Sequence, residues 1–292
     1  MAVDAAAERR QAPAPVQAQG ADMNPNKALW EKGDFTRIAD TMRESGEALV
    51  DALGVTPGLR MLDLGCGDGT TALPAARRGA QVLGVDIAAN LVAAGNARAD
   101  AAHLFNLRFQ EGDASDLQRL EDGRFDLVLS MFVAMFAPRA LNVAQEKARV
   151  TRPGSRIVIC NWSPGDPTLV AQILRISAAY APPPPEGFVS PMTWGVEATV
   201  RERFAAAGIP AEAVTCERAP WAFRYDGPPA EFLDLFRHYY GPTMNAYDAA
   251  TASGRADALH AELTALFEAQ NRAGPDRTEI EATYLRVTAQ KA

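Results

Sequence analysis

Between Arg60 and Asn161 the chain alternates short continuous apolar runs with stretches in which apolar residues recur every three or four positions. The runs Arg60–Leu64, Gln81–Asp86, Leu107–Glu111, Phe125–Ser130 and Arg156–Asn161 predict β-strands. Helical spacing predicts helices over Thr70–Arg78, Ala88–Ala101 and Arg139–Val150. Strands separated by helices predict a parallel sheet with helices on both faces, an α/β architecture. Upstream, Ile38, Met42, Leu49 and Leu53 predict one helix over Asp34–Leu53, stopped by Gly54. Thr151-Arg152-Pro153-Gly154 reads as the turn that ends one helix and launches the fifth strand.

Beyond Trp162 the pattern loosens. Helices are expected over Thr168–Tyr180, Val196–Gly208, Ala230–Tyr240 and Asp257–Gln270, and strands over Ala213–Tyr225 and Glu281–Ala289. The run Pro182-Pro183-Pro184-Pro185 favours an extended spacer. No internal repeat is visible.

Composition narrows the class. With 292 residues, 48% hydrophobic and 22% charged, the chain is that of a soluble globular protein, long enough for one domain or two. Its 29 Lys plus Arg against 36 Asp plus Glu give a net charge of −7, which opposes nucleic-acid binding. Only Lys27, Lys32, Lys147 and Lys291 are lysines, so no polybasic segment holds it to an anionic membrane. No apolar stretch approaches the roughly 20 residues of a membrane-spanning helix. Met1–Asp22 lacks the apolar centre of a secretory signal and reads as a mobile tail, so a cytoplasmic address is expected. Cys66, Cys160 and Cys216, with His103, His238 and His260, show neither disulfide nor metal-ligand spacing, and no metal is expected.

The informative segment is Met61-Leu62-Asp63-Leu64-Gly65-Cys66-Gly67-Asp68-Gly69-Thr70, a Gly-x-Gly-x-Gly turn between the first strand and a helix. Missing Cβ atoms let a ligand approach the backbone, and the carboxyl edge is where open α/β sheets bind nucleotides. Asp86 ends the second strand, where an acidic residue accepts hydrogen bonds from ribose hydroxyls. Nicotinamide enzymes share these features, but their fingerprint is Gly-x-Gly-x-x-Gly. Asp63, two residues before Gly65, would repel a pyrophosphate and suits a ligand bearing an ammonium group. Gly112-Asp113-Ala114 follows the third strand and places an acceptor where an adenine amino group is read.

Together these residues resemble the class I S-adenosylmethionine-dependent methyltransferases, in particular the small-molecule branch that includes the ubiquinone and menaquinone methyltransferases. The resemblance covers roughly Met61–Trp162, with Ser155 where the family often has a second glycine. It implies a Rossmann-like doubly wound seven-stranded sheet in the order 3-2-1-4-5-7-6, strand 7 antiparallel, with helical lid insertions. It implies S-adenosylmethionine as cofactor. Asp63, Gly65 and Gly67 would surround its methionine portion, Asp86 its ribose, and Ile87, Asp113 and Ala114 its adenine. Ser130 and Met131 would lie beside the sulfonium. Residues 23–292 would then form one domain, with a lid helix over 23–54 and insertions at 162–195 and 226–275.

A sulfonium methyl is already activated, so alignment and water exclusion suffice and no covalent nucleophile is needed. No catalytic base is assigned: His238 falls off the apolar stripe of its helix, beside Glu231, and reads as a surface histidine. Trp30, Phe35, Met131, Phe132, Met135 and Phe136, with lids at Trp162–Trp194 and Phe232–Met244, would shape a pocket for a small, apolar or aromatic acceptor. Ser130-Met131-Phe132-Val133 lacks the Pro-Pro-aromatic motif of nucleic-acid amino-methyltransferases, and no tyrosine has the Lys of a short-chain dehydrogenase four residues on. The alternatives are a catalytically silent cofactor-binding or partner-binding protein on the same fold and, further off, an NAD-dependent oxidoreductase.

Overall fold

The computed structural model describes residue 24 and residues 26–184 and 188–292. The expected tail, Met1–Asp22, and Pro185 of the proline run lie outside the described residues. Seven strands form one sheet: β1 (Arg60–Leu64), β2 (Gln81–Asp86), β3 (Leu107–Glu111), β4 (Phe125–Met131), β5 (Thr151–Trp162), β6 (Val214–Tyr225) and β7 (Thr278–Gln290). Their order is β3-β2-β1-β4-β5-β7-β6, with β7 antiparallel to both neighbours and the remaining pairs parallel, a Rossmann-like mixed sheet. Leu62, Leu64, Leu127, Val128, Leu129, Ile157 and Val158 are fully buried, as central strands covered on both faces require.

Eleven α-helices accompany the strands among the described residues: α1 (Asn26–Glu31), α2 (Thr36–Asp40), α3 (Arg43–Ala52), α4 (Ala72–Arg77), α5 (Ala89–Ala101), α6 (Ala140–Val150), α7 (Leu169–Tyr180), α8 (Glu197–Ala206), α9 (Pro229–Tyr239), α10 (Gly241–Ala252) and α11 (Ala256–Gln270). No described helix is long and apolar enough to cross a membrane.

Three local departures from the sequence pattern have tertiary causes. The helix expected over Asp34–Leu53 is broken after Asp40, because the Thr41 carbonyl accepts the Arg224 N–H of β6 while the Thr41 hydroxyl donates to the Ile38 carbonyl. Gly54 does stop the second piece, in a left-handed conformation. The Thr151–Gly154 turn lies inside β5 as an irregularity: the pairing with β4 jumps from Phe125↔Thr151 to Leu127↔Arg156. Lys291, just past β7, holds this segment by exchanging backbone hydrogen bonds with Gly154 and Ser155. Finally, no helix was expected between Tyr240 and Asp257, yet Tyr240 is extended and α10 begins at Gly241, with proline in the first turn where its missing N–H costs nothing.

Candidate functional site

The carboxyl ends of β1, β2 and β4 meet under the N-terminal helices and carry two adjoining cavities. The larger, about 800 Å³ and partly open to solvent, is lined by Gly65, Cys66, Gly67, Asp68, Thr70, Thr71 and Asp86 on one side. Trp30, Phe35, Ile38, Met42, Met131, Phe132, Trp162, Phe223, Phe236 and Tyr240 line the other. The smaller, about 360 Å³, is bounded by Asn24, Asn26, Trp30, Gly65, Asp86, Ile87, Gly112 and Ala114. Gly65, Asp86, Trp30 and Val133 border both, so the two spaces form one cleft across the tip of the sheet.

The glycine turn is built by its neighbours. Gly65 N–H donates to the Val85 carbonyl at 2.7 Å, and Gly67 N–H donates to Asp86 Oδ2 at 2.8 Å. Both glycines have positive φ, +75° and +54°. A Cβ at Gly65 would lie 2.4 Å from Val133 Cβ, whereas one at Gly67 would meet no atom within 4 Å. Gly67 therefore presents bare backbone to open space, which suits close approach by a ligand.

Three carboxylates surround this turn. Asp86 is 3% exposed, and its Oδ1 accepts the Ala88 N–H while Oδ2 takes Gly67, leaving lone pairs on both oxygens for ligand hydroxyls. Burial pushes its pKa up, opposed by these backbone donors. Asp63 is fully buried; Thr71 donates to Oδ2 at 2.5 Å, and Oδ1 has no partner among the described residues. Burial, with Asp86 adding repulsion, pushes the Asp63 carboxyl up to about 7. Asp68 is 2% exposed and bound by two arginines: Arg43 of α3 in a two-point contact, and Arg98 of α5 at 3.1 Å. Asp63 itself borders neither cavity; its orphan oxygen is buried just before the glycine turn, where a positive charge brought close by a ligand would offset the cost of leaving it unpaired.

The other site residues expected from the sequence lie as follows. Ile87 and Ala114 border the smaller cavity. Asp113 lies beside it, its Oδ1 accepting the Ser115 N–H and hydroxyl and its Oδ2 accepting the Asn24 amide at 3.1 Å. Met131 lines the larger cavity, while Ser130 is buried at the end of β4 and borders neither. Arg43, Asp68 and Arg98 were not legible as a unit, since Arg43 and Arg98 stand 25 and 30 residues from Asp68 on separate helices.

Phe132 carries the sharpest backbone feature. Its φ is +58°, a conformation costing a non-glycine residue about 1–3 kcal/mol. It is held by an N–H bond to the Cys160 carbonyl and by its ring lying on Trp162, centroids 3.6 Å apart and planes 11° off parallel. Trp221 and Tyr284 meet the same ring edge-on. Among the proposed lids, α2, α7 and α9 reach the larger cavity through Ile38, Val170 and Phe236, but Trp194 packs elsewhere, between Lys147 and Arg203. His103 and His238 are exposed, and His260 is bonded to Tyr247.

Comparison with known proteins bears on the family and the fold. Residues 62–159 match the methyltransferase domain family. The chain is 34% identical over 254 residues to an uncharacterized protein of Mycobacterium tuberculosis, covering 86% of this chain and 90% of the relative. Over 116 residues it is 39% identical to a demethylmenaquinone methyltransferase of Beutenbergia cavernae, covering 40% of this chain and 46% of that one. Among solved structures it is similar to the YcgJ protein of Bacillus subtilis, with a TM-score of 0.55 at 18% identity over 85% of this chain and 98% of that one, a likeness of fold.

Proposed function

This chain belongs to the class I S-adenosylmethionine-dependent methyltransferases, and from that premise we propose that its methyl acceptor is a small, largely apolar or aromatic molecule bound in the larger cavity. The observation that carries this reading is the division of that cavity: carboxylates and bare glycine backbone on one side, and the rings of Trp30, Phe35, Phe132, Trp162, Phe223, Phe236 and Tyr240 on the other. A cationic, hydroxyl-rich cofactor suits the first wall and a carbon-rich acceptor the second. The demethylmenaquinone methyltransferase it resembles in part is consistent with such an acceptor.

On this reading Asp86 accepts the ribose hydroxyls, Ile87 and Ala114 pack on adenine, and Asp113 reads its edge. Gly65 and Gly67 surround the methionine portion, with Asp63 buried behind the turn; Met131 stands beside the sulfonium, and Ser130, which borders neither cavity, backs it from the end of β4. S-adenosylmethionine, when bound, supplies an activated methyl group. The chain's own work is then to orient the acceptor, exclude water and keep the glycine turn in place through the Asp68–Arg43 and Asp68–Arg98 pairs. The lids are residues 23–54 together with the parts of 162–195 and 226–275 that reach the cavity.

The test is isothermal calorimetry followed by an acceptor screen. S-adenosylhomocysteine is expected to bind and NAD is not, and quinol, phenol and other aromatic acceptors are expected to take up labelled methyl. Tight cofactor binding with no turnover across a broad panel would favour the silent-protein alternative, and methylation confined to charged, polar acceptors would sink the apolar assignment.

A further inference from the structure

The polar side chains on the cofactor side of the larger cavity are engaged by the protein: Thr71 with Asp63, Thr70 with Arg43, Asp68 with two arginines, and Asp86 with two backbone amides. Two groups on the carbon-rich side differ. Tyr240, 5% exposed, is surrounded by the rings of Trp30, Phe35 and Phe236 at 6.1, 6.2 and 5.4 Å between centroids; its hydroxyl makes no hydrogen bond to a described residue and, unlike the Trp30 indole nitrogen, is not sealed from the open space of the cavity. Trp30, 6% exposed, lines both cavities, and its indole N–H is buried and likewise unpartnered. A phenylalanine at 240 would keep the ring packing and remove the orphan hydroxyl, so the hydroxyl has a use outside the folded chain's own packing. Burial raises the phenol's pKa, which keeps its proton in place and makes it a donor.

We propose that Tyr240 and Trp30 are the specificity-determining pair of the acceptor site, their hydroxyl and indole N–H donating to an oxygen atom carried by a flat, otherwise apolar acceptor. The proposal rests on the methyltransferase reading and sharpens it from an apolar molecule to an oxygenated one. A carbonyl, phenol or enol oxygen satisfies both donors; a hydrocarbon of the same shape leaves them buried and unpaired, and discrimination against it is correspondingly strong.

The experiment uses the full chain saturated with S-adenosylhomocysteine, and two probes of nearly equal shape, 2-naphthol and naphthalene. Failure of wild type to bind S-adenosylhomocysteine would count against the methyltransferase reading itself. With the cofactor bound, wild type is expected to hold 2-naphthol at least tenfold more tightly than naphthalene. Tyr240→Phe is expected to cut that ratio about fivefold or more, leaving naphthalene and S-adenosylhomocysteine affinities within twofold of wild type, and Trp30→Phe is expected to cut it in the same direction. A wild type with no preference for 2-naphthol, or a preference that survives both substitutions, overturns the proposal. Equal weakening of both probes does so too, because it reports lost packing and not a lost hydrogen bond.

Discussion

The backbone amide of Gly67 donates to Asp86 Oδ2 at 2.8 Å, joining the turn after β1 to the tip of β2. This one contact places an open stretch of backbone and a carboxylate on the same side of the cleft, with the other oxygen held by Ala88 N–H. Asp86→Ala is therefore expected to weaken S-adenosylhomocysteine binding by about 1–3 kcal/mol, the worth of hydrogen bonds to a charged group. Calorimetry checks it, and an unchanged affinity removes Asp86 from the site.

The glycines separate packing from ligand approach. Gly65→Ala is expected to lower stability by about 1–3 kcal/mol, since its Cβ would strike Val133 at a left-handed φ. Gly67→Ala meets open space, so its expected stability loss is smaller, about 1 kcal/mol, while its methyl group projects into the cleft and weakens cofactor binding. Thermal unfolding and calorimetry on both variants test the contrast; equal losses of stability would contradict it.

Asp63 is expected to make cofactor affinity pH-dependent. Its carboxyl stands at about 7 in the fold against an ordinary value of 3.8, so the folded state prefers the protonated form. Stability contributed by that preference is present below about pH 4 and is lost as pH rises through 7. A ligand ammonium beside the free oxygen favours the ionised form, so S-adenosylhomocysteine is expected to bind several-fold more tightly at pH 8 than at pH 6, releasing a proton at the lower pH. Asp63→Asn should remove both effects. Calorimetry in buffers of differing ionisation enthalpy reads the proton directly, and a pH-independent affinity in wild type would refute the coupling.

Lys147 is 1% exposed, 5.0 Å from the Trp194 ring centroid, and burial pulls its pKa down to about 7 from 10.5. Because the folded state prefers the neutral amine, its cost to stability grows as pH falls from about 10.5 to 7. Lys147→Met is expected to raise the unfolding temperature by several degrees at pH 7 and by less at pH 9.5. Unfolding curves at the two pH values decide this; a variant less stable than wild type at pH 7 would show that the amine contributes more than it costs.

Short-range patterning determined much of this protein. Each of the seven strands overlaps a stretch where period and punctuation put one, and seven of the eleven α-helices, α4 to α9 and α11, do so as single helices, because a strand buried on both faces is continuously apolar and a helix packed on it repeats near 3.6 residues. The Gly-x-Gly-x-Gly turn and Asp86 were legible for the same reason: each is a local requirement at the end of a strand. Tertiary structure alone decided the rest. It broke the helix at Thr41 by offering that carbonyl a donor on β6, and added α10 where the pattern showed no helix. It gathered Arg43 and Arg98 on Asp68, forced Phe132 into a left-handed conformation against Trp162, and set Tyr240 beside Trp30. These relations join residues far apart in the chain, whose partners are chosen by the closing of the sheet and its covering helices. No periodicity encodes such meetings, so the chain could name Trp30, Phe35, Met131, Phe132 and Trp162 as pocket candidates but not which of their rings meet or which polar groups stand among them.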